Sequence, residues 1–312
     1  MPSLNLTRLR RTLALRGLTP ATVVPDSSGG RREEACIMAA RLVEGGTLAA
    51  IPVGPPEAWS EPVAFLDGVQ RSSLLAYAGA APIVVAEIAA AVRERRETRL
   101  LTVAEERQVL AVARPSALRA AGDALDGLAT LALPEEEPPH PVRDLLNAGR
   151  AIDAARGALE IAVAARFRAR SGGWLVVDGS LSESPAWAAD PRIVGVAKSH
   201  ATLPFEGEAL ERYLRLPSGC RSSIFAPATR NVAPVLAWAL RLWPWEGRDL
   251  FHGLVRVEVA PVNGSPDSAT LLSRRLLAER APISTPDPRW DRLLYGIHSV
   301  ERYLRVRALV PA

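Results

Sequence analysis

Two short segments place an aspartate behind an apolar run and in front of a glycine: Phe65-Leu66-Asp67-Gly68 and Val176-Val177-Asp178-Gly179-Ser180. Open α/β sheets bind ligands at strand ends, where a carboxylate projects into a crevice. A glycine beside it lets a backbone or a phosphate come close. Two such carboxylates on neighbouring strands can hold a divalent metal about 4 Å from a second ion. Mg²⁺ and Mn²⁺ prefer oxygen ligands and leave positions open for water and phosphate. Asp-Gly is also a common turn dipeptide, so either segment alone reads equally well as a turn. The repetition of the pattern behind two apolar runs is what points to chemistry.

Glu160 is a third candidate carboxylate, 18 residues before Asp178. It shares a helical face with Asp153 and Arg156, so it either leans over a strand end or belongs to a solvated stripe. Near the C-terminus, His298, Glu301, Arg302 and Arg305 fall at i, i+3, i+4 and i+7, away from Leu294, Ile297 and Leu304. A histidine on that stripe can be a metal ligand, a phosphate contact or a general acid. Of 38 basic residues 37 are arginine, and Lys198 is the one lysine. Such a residue marks a place for a compact ammonium where a planar guanidinium would not fit. His200 shares its loop. Arg71, Arg302 and Arg305 are candidate phosphate contacts, as are six arginines within residues 1–32.

The elements that must position these groups follow from periodicity. Residues 1–58 read as an N-terminal helical extension, with a helix over roughly Arg32–Glu44. Pro62–Asp67 reads as a short buried strand ending at the Asp-Gly turn. Arg71–Tyr77, Pro82–Val92 and Val109–Ala113 continue as strands, in a meander of sequential antiparallel pairs. A Pro-Glu-rich linker occupies 134–141. Val142, Leu145, Leu146, Ile152, Leu159, Val163 and Phe167 then predict one helix of about 28 residues. Trp174–Asp178 and Ile193–Ala197 are buried strands, Phe251–Val259 alternates like a sheet strand, and 206–216, 268–281 and 290–307 are helical. Strands, then a long helix, then mixed strands and helices predict an α/β domain with a mixed sheet over 59–312.

Composition narrows the class. The net charge of +4 permits a nucleic-acid partner. Cys36 and Cys220 form no CxxC pair and read as structural thiols of a reducing cytoplasm. No apolar run reaches the roughly 18 residues of a membrane span, and no secretory h-region is present. Lys198 follows alanine, which excludes a Walker A loop. No serine triad, zinc spacing or dinucleotide fingerprint competes. Trp243 and Trp245 are either core or a small stacking platform.

Taken in order, the motifs resemble the NurA nuclease family: Asp67-Gly, a helical Glu160, Leu-Val-Val-Asp178-Gly-Ser-Leu, Ile-Val-Gly-Val-Ala-Lys198-Ser and Tyr-Gly-Ile-His298. The resemblance runs from about 61 to 305 and is most specific in Asp-Gly-Ser-Leu followed by Gly-Val-Ala-Lys. It implies an RNase H-like fold, a homodimer, and cleavage of DNA with Mn²⁺ or Mg²⁺ as a two-ion cofactor. It also implies a HerA-type hexameric ATPase as partner in DNA end processing. Asp67, Glu160, Asp178 and His298 would hold metal, and Lys198 would sit near the phosphate. Two motifs depart from the family pattern. The first reads Asp-Gly-Val-Gln instead of Asp-Gly-Ser, and the last lacks the usual Gly-Tyr-Pro and the alanine before histidine. Two rival readings are a docking subunit of such an ATPase without chemistry of its own, and a phosphotransferase of the actin and sugar-kinase kind.

Overall fold

The computed structural model describes residues 36–228, 233–281 and 289–308. In chain order the elements are β1 (Cys36–Ile37), β2 (Arg41–Leu42), β3 (Ala50–Pro52), β4 (Val63–Ala78), β5 (Ala81–Arg96), β6 (Arg99–Ala113), α1 (Pro115–Ala121), β7 (Ala129–Ala132), α2 (Pro141–Arg168) and β8 (Trp174–Asp178). There follow α3 (Pro185–Ala189), β9 (Ile193–Ala197), β10 (Thr202–Leu203), α4 (Gly207–Leu214), β11 (Cys220–Ser222), β12 (Phe225–Ala226), β13 (Leu236–Arg241), β14 (Leu254–Val259), α5 (Pro266–Ala278) and α6 (Tyr295–Val306). They form two compact units: Glu61–Leu175 with the residues from Gly296 onward, and the residues up to Ser60 with Val176–Tyr295. Both mix parallel and antiparallel pairing with flanking helices, the α/β class expected. No helix among the described residues is long and apolar enough to cross a membrane.

In the first unit β4, β5 and β6 are a continuous antiparallel meander, with β7 added in parallel along β6. Asp67 pairs with Ala91 and Gly68 with Ala90. The expected strand end at Asp67 is therefore corrected: β4 runs on to Ala78, and Asp67-Gly68 lies inside it. The reason is pairing. The partner β5 supplies backbone groups along its whole length, so the glycine does not interrupt the ladder.

Alternation then assigns faces. Gly68, Ala90 and Glu106 share the face on which α2 packs, and Arg166 of α2 pairs with Glu106 at 2.7 Å. Phe65, Asp67 and Glu105 share the other face, reached by α6: Tyr303 donates to Glu105 at 2.8 Å. Fully buried Ala86, Ala89, Ala90 and Ala91 keep β5 thin beneath α2.

Helix α2 spans the 28 residues its periodicity predicts. Pro141 occupies the first turn, and the His140 ring accepts from the Arg143 amide at 3.3 Å. Asp144 is held by the Arg114 guanidinium at 2.7 and 3.0 Å, which also binds the Glu137 and Pro138 carbonyls, fixing the preceding proline-rich segment to the helix start. Arg168 closes the other end on the carbonyls of Ser171 and Gly173. Val142 and Leu146 are exposed, so the buried stripe begins at Ala148.

In the second unit the strand order is β2-β12-β13-β14-β9-β8, with β11 joining β13 to β3. Here the N-terminal expectation is corrected. Over its described part the extension is not helical: β1 pairs in parallel with β10, β2 with β12 and β3 with β11. A helix of about a dozen residues is marginal on its own, while unpaired strand edges offer its amides partners such as the carbonyls of Ala201, Leu203 and Ile224. Residues 1–35 of that expectation lie outside the described residues. Many arginines are structural. Arg241 is fully buried and donates to the carbonyls of Leu214, Leu216, Leu250 and His252; burial pushes its pKa down to about 10.

The close approach of α6 to β4 needs a residue without a side chain. A Cβ on Gly296 would lie 2.4 Å from the fully buried Phe65 ring. Gly296→Ala is expected to lower stability by about 1–3 kcal/mol through overpacking, read as a lower midpoint in chemical denaturation. An unchanged midpoint would contradict this packing.

Candidate active site

In the first unit the centre is Arg156, one turn before Glu160 and one turn after Asp153 on α2. All three of its guanidinium nitrogens are committed. Nη2 donates to Asp153 at 2.9 Å, Nη1 to Glu160, and Nε to Gln70 Oε1 at 3.2 Å. Asp67, Asp153 and Glu160 are each less than 10% exposed. Burial works against the charge on Arg156, yet its pKa is raised, because Glu160, Asp153 and Asp67 together outweigh that cost. The polar face read along α2 is thus a buried cluster and not a solvated stripe.

Gly68 makes this possible. A Cβ there would fall 2.1 Å from Glu160 Oε1, so the Glu160 side chain occupies the space a side chain at 68 would need. Asp67 is rooted on the opposite face, and its Oδ1 turns back to accept from the Gly68 amide at 2.8 Å.

In the second unit Asp178 ends β8 as expected, and the chain turns through Gly179-Ser180. The Gly179 amide donates to Val196 O at 3.1 Å, bringing the turn beside β9. The single lysine is its partner: Lys198 Nζ stands 2.9 Å from Asp178 Oδ2. The turn is held by Glu258, a residue not singled out from the sequence. Its carboxylate is 1% exposed and accepts from Ser180 Oγ at 2.7 Å, Leu181 N at 2.8 Å and Arg256 Nε at 2.8 Å. The available signal was an acid inside the apolar alternation Leu-Val-Arg-Val-Glu-Val.

Asp67, Glu160 and His298 therefore belong to one unit, and Asp178, Lys198 and His200 to the other. His298 follows Gly296 by two residues on α6, the helix on the Asp67 face. Its Nδ1 is buried without a hydrogen-bond partner among the described residues and lies 3.7 Å from Glu301 Oε2. Arg71 donates to the Arg305 carbonyl at 3.3 Å, so two of the candidate phosphate contacts are adjacent; Arg305 also pairs with Glu301, and Arg302 is exposed. His200 Nε2 meets Leu254 O at 3.0 Å, with its ring 5.0 Å from that of Phe251. Burial pushes its pKa down to about 3, so at neutral pH it has no charge to offer a phosphate. Trp243 packs edge-on to Trp290, and Trp245 is buried near Arg215 and Arg241.

The donor chemistry of the first cluster fits a hard divalent cation. Its acidic ligands are oxygen only, it already stabilises a buried positive charge, and the orphaned His298 nitrogen comes from the adjoining helix. Among the described residues, no three acidic, histidine or cysteine side chains converge as a ready-made metal site. What Glu160 and Asp153 hold in the structure is the guanidinium.

No protein-family model and no curated protein matches the chain. Among solved structures it is similar to the NurA nuclease from Sulfolobus solfataricus, with 11% identity, 80% of each chain covered and a TM-score of 0.49. It is also similar to the catalytic domain of human Endonuclease V, with 16% identity, 98% of each chain covered and a TM-score of 0.34.

The depressed His200 pKa has a defined sign. The unfolded imidazole titrates near its ordinary value of about 6.5, whereas the folded one stays neutral to about 3. Below about pH 6.5 the unfolded chain binds a proton that the folded chain refuses. Stability from this residue is thus complete above that pH and is lost as pH falls toward 3. From pH 7 to 5 His200→Gln is expected to lose about 1–2 kcal/mol less than wild type. Parallel denaturation curves for the two proteins would contradict the buried neutral imidazole.

Proposed function

We propose that the chain is a metal-dependent deoxyribonuclease that hydrolyses phosphodiester bonds. The observation that carries this reading is the buried group of Asp67, Asp153 and Glu160, which stabilises positive charge on Arg156 against the cost of burial. Oxygen donors with that field suit Mg²⁺ or Mn²⁺. Asp67, Glu160 and Asp178 are the carboxylates assigned to hold metal, with His298 as a further ligand or as a proton donor at the scissile phosphate. When bound, the metal supplies Lewis acidity and a water of lowered pKa.

The remaining roles belong to the chain's own side chains. Lys198, placed by Asp178 and by a turn that Glu258 braces, offers fixed positive charge to a phosphate oxygen. Arg71, Arg302 and Arg305 offer the backbone of DNA contacts without sequence preference, and His200 would contribute only as a neutral imidazole. The assignments to a homodimer, to Mn²⁺ with two ions, and to DNA end processing with a HerA-type ATPase rest on the sequence motifs. A second reading, a docking subunit without chemistry, is favoured by one observation: Glu160 and Asp153 already have a cation in Arg156.

Cleavage of labelled single- and double-stranded DNA with Mn²⁺ separates the two. Metal-dependent cutting is expected for wild type. In Asp178→Ala and Asp67→Ala it should fall by on the order of 10²–10³-fold or more. If wild type cuts nothing, alone or with its cognate ATPase, the docking reading replaces the catalytic one. Gly68→Ala adds a steric test, since the new methyl displaces only the end of a flexible side chain. Its circular dichroism is expected to match wild type while cutting falls as in Asp67→Ala; retained activity would remove Glu160 from the site.

A further inference from the structure

Three carboxylates and one guanidinium leave the cluster around Arg156 with a formal charge of −2, the charge one divalent ion neutralises. The guanidinium is not bound evenly. Asp153, three residues earlier on the same helix, and Gln70 on β4 anchor two of its nitrogens, and neither is among the residues assigned to metal. The third nitrogen lies on Glu160 Oε1, an oxygen that is assigned. Glu160 in turn lies across Gly68, where any side chain at that position would exclude it. Gln70 belongs to Asp-Gly-Val-Gln, the first motif's departure from the family pattern. The substituted position is thus occupied by a partner of Arg156.

We propose that Arg156 is the resident cation of this carboxylate site. It holds Glu160 over Gly68 when no metal is bound, and it competes with a divalent metal for Glu160. Metal loading requires release of one of its three contacts, while Asp153 and Gln70 retain the guanidinium nearby. Arg156 is a positioning residue in this scheme and touches no reacting atom. The inference rests on the metal reading of the cluster.

The test is Mn²⁺ binding without DNA, by isothermal titration calorimetry, with thermal melting as a second readout. Arg156→Gln is expected to bind Mn²⁺ about ten- to a hundredfold more tightly than wild type, since a competing unit charge has gone. Arg156→Lys, which keeps the charge, should stay near wild type. Without metal, Arg156→Gln should melt lower than wild type, and Mn²⁺ should raise its midpoint by more. A purely structural arginine would lower the midpoint and leave the affinity unmoved or weaker, and that result overturns the proposal. If wild type and variants all fail to bind Mn²⁺, the metal reading falls and this one with it. If wild type binds and Arg156→Gln binds no tighter, only this one falls. Should Arg156→Gln fold neither with nor without Mn²⁺, Gln70→Ala decides: loosening one anchor is expected to tighten Mn²⁺ binding, and an unchanged affinity overturns competition.

Discussion

A carboxylate taken out of water needs a partner that restores the lost solvation. Arg156 answers Glu160 and Asp153, Lys198 answers Asp178, Arg256 and the Ser180–Leu181 turn answer Glu258, and Arg114 answers Asp144. These contacts lie where helices meet strands and where strands turn, so the same pairs that neutralise charge also fix backbone position. Removing one member of such a pair leaves an uncompensated charge, which typically costs about 3–5 kcal/mol. The candidate site and the stability of its surroundings are therefore not separable at these residues.

The geometry that delivers the pairs is elementary. A helix repeats every 3.6 residues, so Asp153, Arg156 and Glu160 come to one face. A strand alternates, so Gly68 and Gln70 face that helix while Asp67 faces α6. The thin alanine surface of β5 and the missing side chain at Gly68 let the helix carboxylate reach the sheet. Asp67 enters the same field from the other face because its carboxylate turns back to the Gly68 amide. Two faces of one ladder contribute to one electrostatic environment.

Local pattern made much of this legible. The 28-residue helix, the buried strands at 174–178 and 193–197 and the antiparallel meander all follow from spacing within a single segment. What could not be read depended on distant partners. Asp67-Gly68 looks like a strand end because nothing near it shows that β5 continues the ladder past it. Residues 36–52 look helical because the edges they pair with lie more than 150 residues away. The Asp153–Arg156–Glu160 stripe has the same sequence signature buried or solvated; only the packing of α2 on the sheet distinguishes them. Glu258 was invisible because its partners, Ser180 and Leu181, precede it by 78 and 77 residues.

The unit that carries Asp67 and Glu160 is completed by a helix that arrives late. Its two chain segments, Glu61–Leu175 and the residues from Gly296, are separated by about 120 residues of the other unit. Translation proceeds at roughly 5–20 residues per second, so a nascent chain has Phe65 and Asp67 in place for on the order of ten seconds before Gly296 emerges to pack against that ring. During this interval an apolar strand face awaits its own C-terminal cover. The cost of closing so long a loop falls on the rate of folding more than on the final stability. Vectorial synthesis thus makes the metal-candidate half of the molecule the part that is begun first and finished last.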